Sequence, residues 1–455
     1  MNSLGSTRRG FLQIGVLGLG GLTLGGVMRA RANEQLRRSS ATRPTSVILL
    51  WLEGGPSQLE TYDLKPNAPA EIRGEFRPIR TTVPGMDICE LMPRQARIAK
   101  RFSLIRSISH RIVDHPGAAA RFLSGYVPAN ISDPISKYPT IEAVTAKMRA
   151  GAHPTMPAHV SNLARLKGGG SAYLGRAVDP FVVDRDPSLP QFRVDALDLD
   201  DSLANRLDDR KTLLQSLDSW QRGAEQHPAF TAQDSFQHRA FQLLTGSATR
   251  TAFDLNQESP RVRDAYGRHE WGQRTLLARR LVEAGCSFVT VQLTGKQSSA
   301  FITWDDHGDV GHIFRNMKQR LPLLDQSVAA LIEDLHARGL EREVLVVVAG
   351  EFGRTPVVNM GRAAKPVHPG RDHWPHAMSV LVAGGGWQMG QVVGSTDSRG
   401  AEPHSRPLEP NDLLASVYHF LGIDSAAVLH DAQGRPIPIL PSGSPIPELV
   451  GTSPS

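Results

Sequence analysis

Five short stretches of this chain set acids and histidines next to apolar runs or at loop-to-helix junctions. Glu53 closes SVILLWLEGGPS, and Glu351 closes VLVVVAGEFGRTP. Asp305 and His307 lie in TWDDHGD, His373 in GRDHWPH and His115 in IVDHPGAAARFLSGY. Carboxylate oxygen and imidazole nitrogen are the donors of a divalent metal site. TWDDHGD is dense in them, with Asp305, Asp306, His307 and Asp309 in one loop, although a solvated acidic turn has the same composition. Glu351 follows buried-type residues and needs a cationic partner, either a metal or Arg354. Arg354 has a second use, because a guanidinium pairs bidentately with the oxygens of an anion. His115 sits where the free N–H groups of a helix start favour an anion, or where a histidine merely caps the helix.

The elements that must hold these groups read as alternating strands and helices. Ser46–Leu52 is a continuous apolar run bounded by Gly54-Gly55-Pro56, as expected of a central parallel strand. Ser103–Ile108, Ser287–Leu293, Val344–Ala349 and Met378–Ala383 are further strands. Helical spacing marks Thr140–Ala150, Leu199–Gln226, Pro228–Leu244, Val262–Ala284, Ile313–Ala337 and Leu413–Leu421, the last capped by Asn411 or Asp412. That succession is the signature of an α/β protein, and open α/β sheets gather ligands outside the carboxyl ends of their strands. Residues 151–200 are rich in Pro and Gly and read as a surface insertion, extended by the helical segments to about 260. The tail from Pro436 to 455 reads as loose.

The N-terminus carries an address. STRRGFL, then a Gly- and Leu-rich stretch through Val27, then Ala30-x-Ala32 follow the order of an export signal, and Arg8-Arg9 match the twin-arginine type. The apolar stretch is too short for a membrane span, so a cleaved signal over 1–32 is expected rather than an anchor. A flexible segment over 33–45 follows, and then one large domain over 46–435. Removing four arginines and no acids with the signal takes the net charge from +6 to +2. The basic balance therefore does not point to nucleic acid. Cys89 and Cys286 could pair in an oxidising compartment or remain two buried thiols.

LLWLEGGPSQLETYDLKP, DHPGAAARFLSGY, YLGRAVDPF, TWDDHGD, AGEFGRTP and GRDHWPHAMSVLVAGGG together resemble an exported bacterial family, the domain of unknown function 1501 family. That family in turn resembles a branch of the alkaline phosphatase–sulfatase superfamily. The resemblance covers nearly the whole mature chain. It implies a large mixed, mostly parallel sheet flanked by helices on both faces, with long loop and helical insertions. It also implies that Glu53, His115, Asp305, His307, Glu351 and His373 hold metal. Counting back from Leu123-Ser124-Gly125 puts His115 at the superfamily's nucleophile position, and Phe352 stands where a ligand histidine would be. Those two departures leave Ser57 of GGPS as a displaced nucleophile or a simple turn serine.

The resulting expectation is a hydrolase of phosphate or sulfate esters, small-molecule or glycan, in the periplasm or secreted. It would meet the twin-arginine translocase during export and have no stable membrane span. Catalysis would use a metal-activated water or a non-standard nucleophile, with Arg354 neutralising the substrate anion. Two ions are expected, one on Glu53, His115 and Glu351 and one on Asp305, His307 and His373. Mixed O/N donors suit Zn²⁺ or Mn²⁺ better than Ca²⁺ or Mg²⁺. The alternative is a non-catalytic binding or assembly protein on the same scaffold.

Overall fold

In the computed structural model, β1 (Ser46–Trp51) is buried at every position, with Ile48 and Leu50 in one apolar cluster and Val47, Leu49 and Trp51 in another. Alternate side chains of a strand point to opposite faces, so both faces of the sheet are covered. The structure describes residues 45–150, 156–194, 247–295, 303–309, 311–361 and 367–451. The export signal, the segment 33–44 and the helical patterns at Leu199–Gln226 and Pro228–Leu244 lie outside them.

The sheet holds eight strands. After β1 come β2 (Phe102–Ile108), β3 (His159–Asn162), β4 (Phe181–Val183), β5 (Phe288–Gln292), β6 (Val344–Ala349), β7 (Met378–Gly384) and β8 (Val392–Val393), in the spatial order β8-β2-β7-β6-β1-β5-β3-β4. All neighbours pair in parallel except β7, which runs antiparallel to both β2 and β6. The sheet is thus mixed and mostly parallel, as the resemblance implies. On the Ile48 face lie α3 (Glu270–Glu283), through Trp271, Leu277 and Leu281, and α4 (Ile313–Ala337), through Met317, Leu321 and Val328. On the Val47 face lie α1 (His115–Ser124), α2 (Ile141–Met148) and α5 (Pro410–Leu421), through Phe122, Val144 and Tyr418.

Four sequence readings need correction. Residues 151–200 are not all surface insertion, because His159–Asn162 is a buried interior strand and Phe181–Val183 is the edge strand beside it. Three of the four residues in HVSN are polar, and each makes a side-chain hydrogen bond. His159 Nε2 lies 3.3 Å from Thr290 Oγ1, Asn162 Nδ2 donates to Arg274 O at 3.2 Å and Ser161 Oγ donates to Ala164 O at 2.6 Å. The tail from Pro436 is not loose either: Ile439, Leu440, Ile446 and Leu449 are buried in the α5 cluster. Finally, α5 is capped by Glu409 rather than by Asn411 or Asp412, with Asp412 Oδ2 accepting the Glu409 N–H at 2.9 Å. The helix expected over Val262–Ala284 is two, Pro260–Tyr266 and α3, broken at Gly267, whose φ of +94° no helix accepts. Cys89 and Cys286 are both buried free thiols.

Candidate metal centre

The carboxyl ends of β1, β2, β3, β5 and β6 lead into the segments that carry Glu53, His110 and His115, Lys167, Asp305 and Glu351. The antiparallel β7 is entered from the same edge, and its approach carries His373. A two-residue ladder pairs His373 with Arg354 and Trp374 with Gly353, fixing the last histidine beside the β6 exit. The Asp305 loop is stitched to β1 by a hydrogen bond from Trp304 N to Glu53 O at 2.8 Å. Gly54 lies so close to Trp304 and Asp305 that a Cβ there would collide with their backbone. Its φ of +109° also demands glycine.

Asp305 is the hub. His307 Nε2 and His115 Nε2 lie 3.2 Å from its Oδ2, and His373 Nε2 lies 3.1 Å from its Oδ1. Arg354 Nη2 lies 2.6 Å from Oδ1. Burial opposes the charge on Asp305, but hydrogen bonds from three imidazoles and the charge of Arg354 outweigh it and hold the carboxyl far below the usual range. Burial likewise opposes charge on His115, yet its hydrogen bonds to Asp305 and Glu351 raise it to about 9. His307 is raised by its hydrogen bond to Asp305.

The other nitrogen of the His115 and His373 rings is anchored. His115 Nδ1 lies 2.6 Å from Glu351 Oε1, an oxygen that also accepts the Gly54 N–H at 2.8 Å. His373 Nδ1 lies 2.7 Å from the Val113 carbonyl, so that nitrogen carries a proton, and Nε2 faces Asp305. His110 supports Glu351 from behind. Its Nδ1 accepts the Ile112 N–H at 3.1 Å, so Nε2 donates to the Glu351 carbonyl at 2.7 Å. Burial lowers His110 to about 4, which keeps it neutral. His110 was not singled out from the sequence, although it follows β2 as the other groups follow their strands.

The structure departs from the expected division into two ligand sets. His115 faces Asp305 as well as Glu351, and the ligand atoms of His115, Asp305 and His373 all lie within 4.8 Å of one another. Glu53 stands apart from that trio, its Oε1 3.0 Å from Lys167 Nζ. Arg354 was expected to meet a substrate anion. It is instead wholly buried, donating to the carbonyls of Gly54, Gly55 and Arg371 and to Asp305, so it aims Asp305 and has no free face for substrate. Ser57 is also wholly buried, its Oγ without a partner among the described residues. Asp306, adjacent in the motif, is occupied by Arg320 at 2.6 Å and Asn316 at 2.8 Å. Phe352 is buried beneath the histidines, 5.1 Å from the His115 ring and 4.6 Å from the His373 ring.

Fold and site define an α/β/α protein with a half-exposed His/Asp cluster at the carboxyl ends of its strands. The chain belongs to the family described as "Protein of unknown function (DUF1501)", whose model matches residues 44–450. No curated protein matches it. Among solved structures it is similar to the alkaline phosphatase from the Antarctic bacterium TAB5, at 13% identity and TM-score 0.36, covering 84% of this chain and 99% of that one. It is similar to the PsFucS1 sulfatase from Pseudoalteromonas sp., at 11% identity and TM-score 0.37, covering 86% and 70%. It is also similar to the lipoteichoic acid synthase LtaP from Listeria monocytogenes, at 10% identity and TM-score 0.33, covering 85% and 74%. No helix among the described residues is long and apolar enough to cross a membrane.

Proposed function

We propose that this protein is an exported, metal-dependent hydrolase of phosphate or sulfate esters. The observation that carries the reading is the convergence of His115, Asp305 and His373 donor atoms within 4.8 Å. Beside them, Glu351 Oε2 is buried with no partner among the described residues. A buried carboxylate oxygen without a donor is costly unless a cation meets it, so the residues fit a divalent ion. Two imidazoles and a carboxylate are a donor set that leaves positions open for water and substrate. In this reading His115, Asp305 and His373 hold one ion, with His307 at the same carboxylate, and Glu53 and Glu351 serve a second. Zn²⁺ or Mn²⁺ suits these donors better than Ca²⁺ or Mg²⁺. The bound ions would polarise an ester oxygen and lower the pKa of a water.

The chain's own residues do the positioning. Glu351 holds His115 by Nδ1 and turns Nε2 toward the site, the Val113 carbonyl does the same for His373, and Arg354 fixes the plane of Asp305. Attack by water needs no side-chain nucleophile, which agrees with the burial of Ser57 and with His115 being held by Glu351 through Nδ1 and assigned to the ion through Nε2. Export by the twin-arginine route to the periplasm or beyond, and a small-molecule or glycan ester as substrate, belong to the same proposal. A second reading, a non-catalytic binding protein, draws on Phe352, a wholly buried phenylalanine where the family resemblance implies a ligand histidine.

Elemental analysis of the purified full chain, with Glu351→Ala beside it, separates the two. The hydrolase reading expects about two transition-metal ions per chain, falling in the variant. A wild type that takes up none under loading points to the binding protein.

A further inference from the structure

With Arg354 buried on Asp305, the site needs another cation to receive an anionic substrate. Among the described residues, the acids Glu53, Asp305 and Glu351 have two Lys or Arg partners, Arg354 and Lys167. They differ in exposure: the Arg354 side chain is 0% exposed and that of Lys167 is 67% exposed. The nearby Arg320 and Arg371 are buried as well, engaged by Asp306 and Glu60. Arg165, on the same loop as Lys167, is paired with Asp179 at 2.5 Å.

Lys167 is a flexible arm on a fixed base. Its loop leaves β3 at Leu163, whose N–H bonds Val183 O at 2.7 Å, and is held again where Gly168 N donates to Pro134 O at 2.9 Å. Leu166 is buried beneath it. Gly168 has φ +71° and rests on the first turn of α1, where any Cβ would strike the carbonyl of Pro116, the residue after His115. The loop backbone is thereby set against the helix that presents His115, and the ammonium reaches Glu53 from there. An exposed pair of this kind is weak, so the ammonium can leave the carboxylate for another anion.

We propose that Lys167 is the residue that binds the substrate's anionic group, exchanging Glu53 for the oxygens of a tetrahedral phosphate or sulfate ester brought to the His115–Asp305 face. The inference rests on the ester-hydrolase reading. It moves anion recognition from Arg354, where the sequence suggests it, to a lysine in the Gly-rich loop.

The test is binding of inorganic phosphate and inorganic sulfate to the full chain loaded with Zn²⁺ or Mn²⁺, by titration calorimetry, for the wild type, Lys167→Met and Lys167→Arg. A charged hydrogen bond is expected to be worth roughly tenfold or more in affinity. The expected result is that loss in Lys167→Met for whichever anion the wild type prefers, with Lys167→Arg recovering most of it. Comparing the two anions assigns the ester class. Equal binding by wild type and Lys167→Met overturns the proposal and leaves Lys167 a surface ion pair. A loaded wild type that binds neither anion also overturns it. A wild type that holds no metal is the separate failure of the hydrolase reading, visible in the elemental analysis before any anion is added.

Discussion

Asp305→Asn tests the hub directly, because it keeps the side chain's shape and removes one charge. The structure assigns two consequences. Arg354 is wholly buried and Asp305 is its acidic partner, so neutralising Asp305 strands a buried guanidinium. Breaking a buried pair from one side costs roughly 3–5 kcal/mol. Asp305 retains 18% exposure and an Asn carbonyl still accepts from Arg354, so the expected loss is lower, about 2 kcal/mol in the metal-free protein. The second consequence is for metal linkage. An ion at a hundredfold excess over its Kd stabilises the folded wild type by about 2.7 kcal/mol. A variant whose affinity has dropped a hundredfold keeps roughly 0.4 kcal/mol of that at the same concentration. The assay is denaturant unfolding of wild type and variant, each with and without Zn²⁺. If the metal-induced shift survives intact in Asp305→Asn, Asp305 is not a ligand. If the metal-free midpoint does not move, the Arg354–Asp305 pair is not doing what its burial implies.

Three further outcomes are expected. Burial pushes Glu142 up to about 7, against hydrogen bonds from its own backbone and Thr140. The folded state therefore holds this proton longer than the unfolded chain, and the contribution of Glu142 to stability falls as pH rises from 4.5 to about 7. Glu142→Gln should gain on wild type by roughly 1.4 kcal/mol per pH unit across that window, and parallel stability–pH curves would count against the buried carboxyl. Burial lowers the facing His159 to about 3, which has the opposite sign: its contribution is complete above pH 6.5 and is lost as pH falls through 6.5 toward and below 3. The two slopes oppose each other between pH 4.5 and 6.5, so only the difference between variant and wild type isolates Glu142. Gly168→Ala should cost about 2 kcal/mol or more, from a positive φ and a backbone clash with Pro116, read as a denaturant midpoint; a change under about 0.5 kcal/mol would mean the loop is not seated on α1. Arg8→Lys with Arg9→Lys should leave the precursor in the cytoplasm on fractionation, and normal export would remove the twin-arginine assignment.

What the sequence made legible follows the strength of its periodic signals. VILLW and VLVVVA are buried on both faces, so composition alone marks them as central strands, and the acids that close them fall at the ligand-bearing edge. The same logic, joined by the family resemblance that added His115 to the ligand set, pointed to Glu53, His115, Asp305, His307, Glu351 and His373, which lie at one end of the sheet. It failed at HVSN, where burial is achieved by hydrogen-bonding polar groups rather than by apolar residues, and no periodicity advertises that. It also failed to assign partners. Whether Arg354 pairs with Glu351, Asp305 or a substrate depends on the ladder that sets it opposite His373, a tertiary contact invisible in GEFGRTP. Lys167 carried no signal because a lysine before three glycines reads as loop, and only the close approach of Gly168 to α1 gives it a fixed place.

Phe352 is the residue on which the two readings of the site part. A ligand lost by drift leaves a gap or a solvated polar group, with the remaining ligands free to wander. Here the ring is wholly buried and lies against both His115 and His373. Gly55 is matched to it, since a Cβ at that position would run into the ring, and Gly55 O accepts from Arg354 Nε at 2.8 Å. The aromatic wall is therefore part of the packing that holds Arg354, and through Arg354 the plane of Asp305. Lining one side of a charged cluster with an apolar ring also strengthens the electrostatics of that cluster. Retention of three imidazoles on one carboxylate above a fitted wall is what a reshaped active centre requires and what a decaying one has no reason to keep. On that physical ground the hydrolase reading stands ahead of the binding reading, and Phe352→Ala sharpens the contrast. Opening a cavity under the histidines should weaken metal affinity in a working centre, measured by competition with a chromophoric chelator. An unchanged affinity would mean that the wall serves the fold alone.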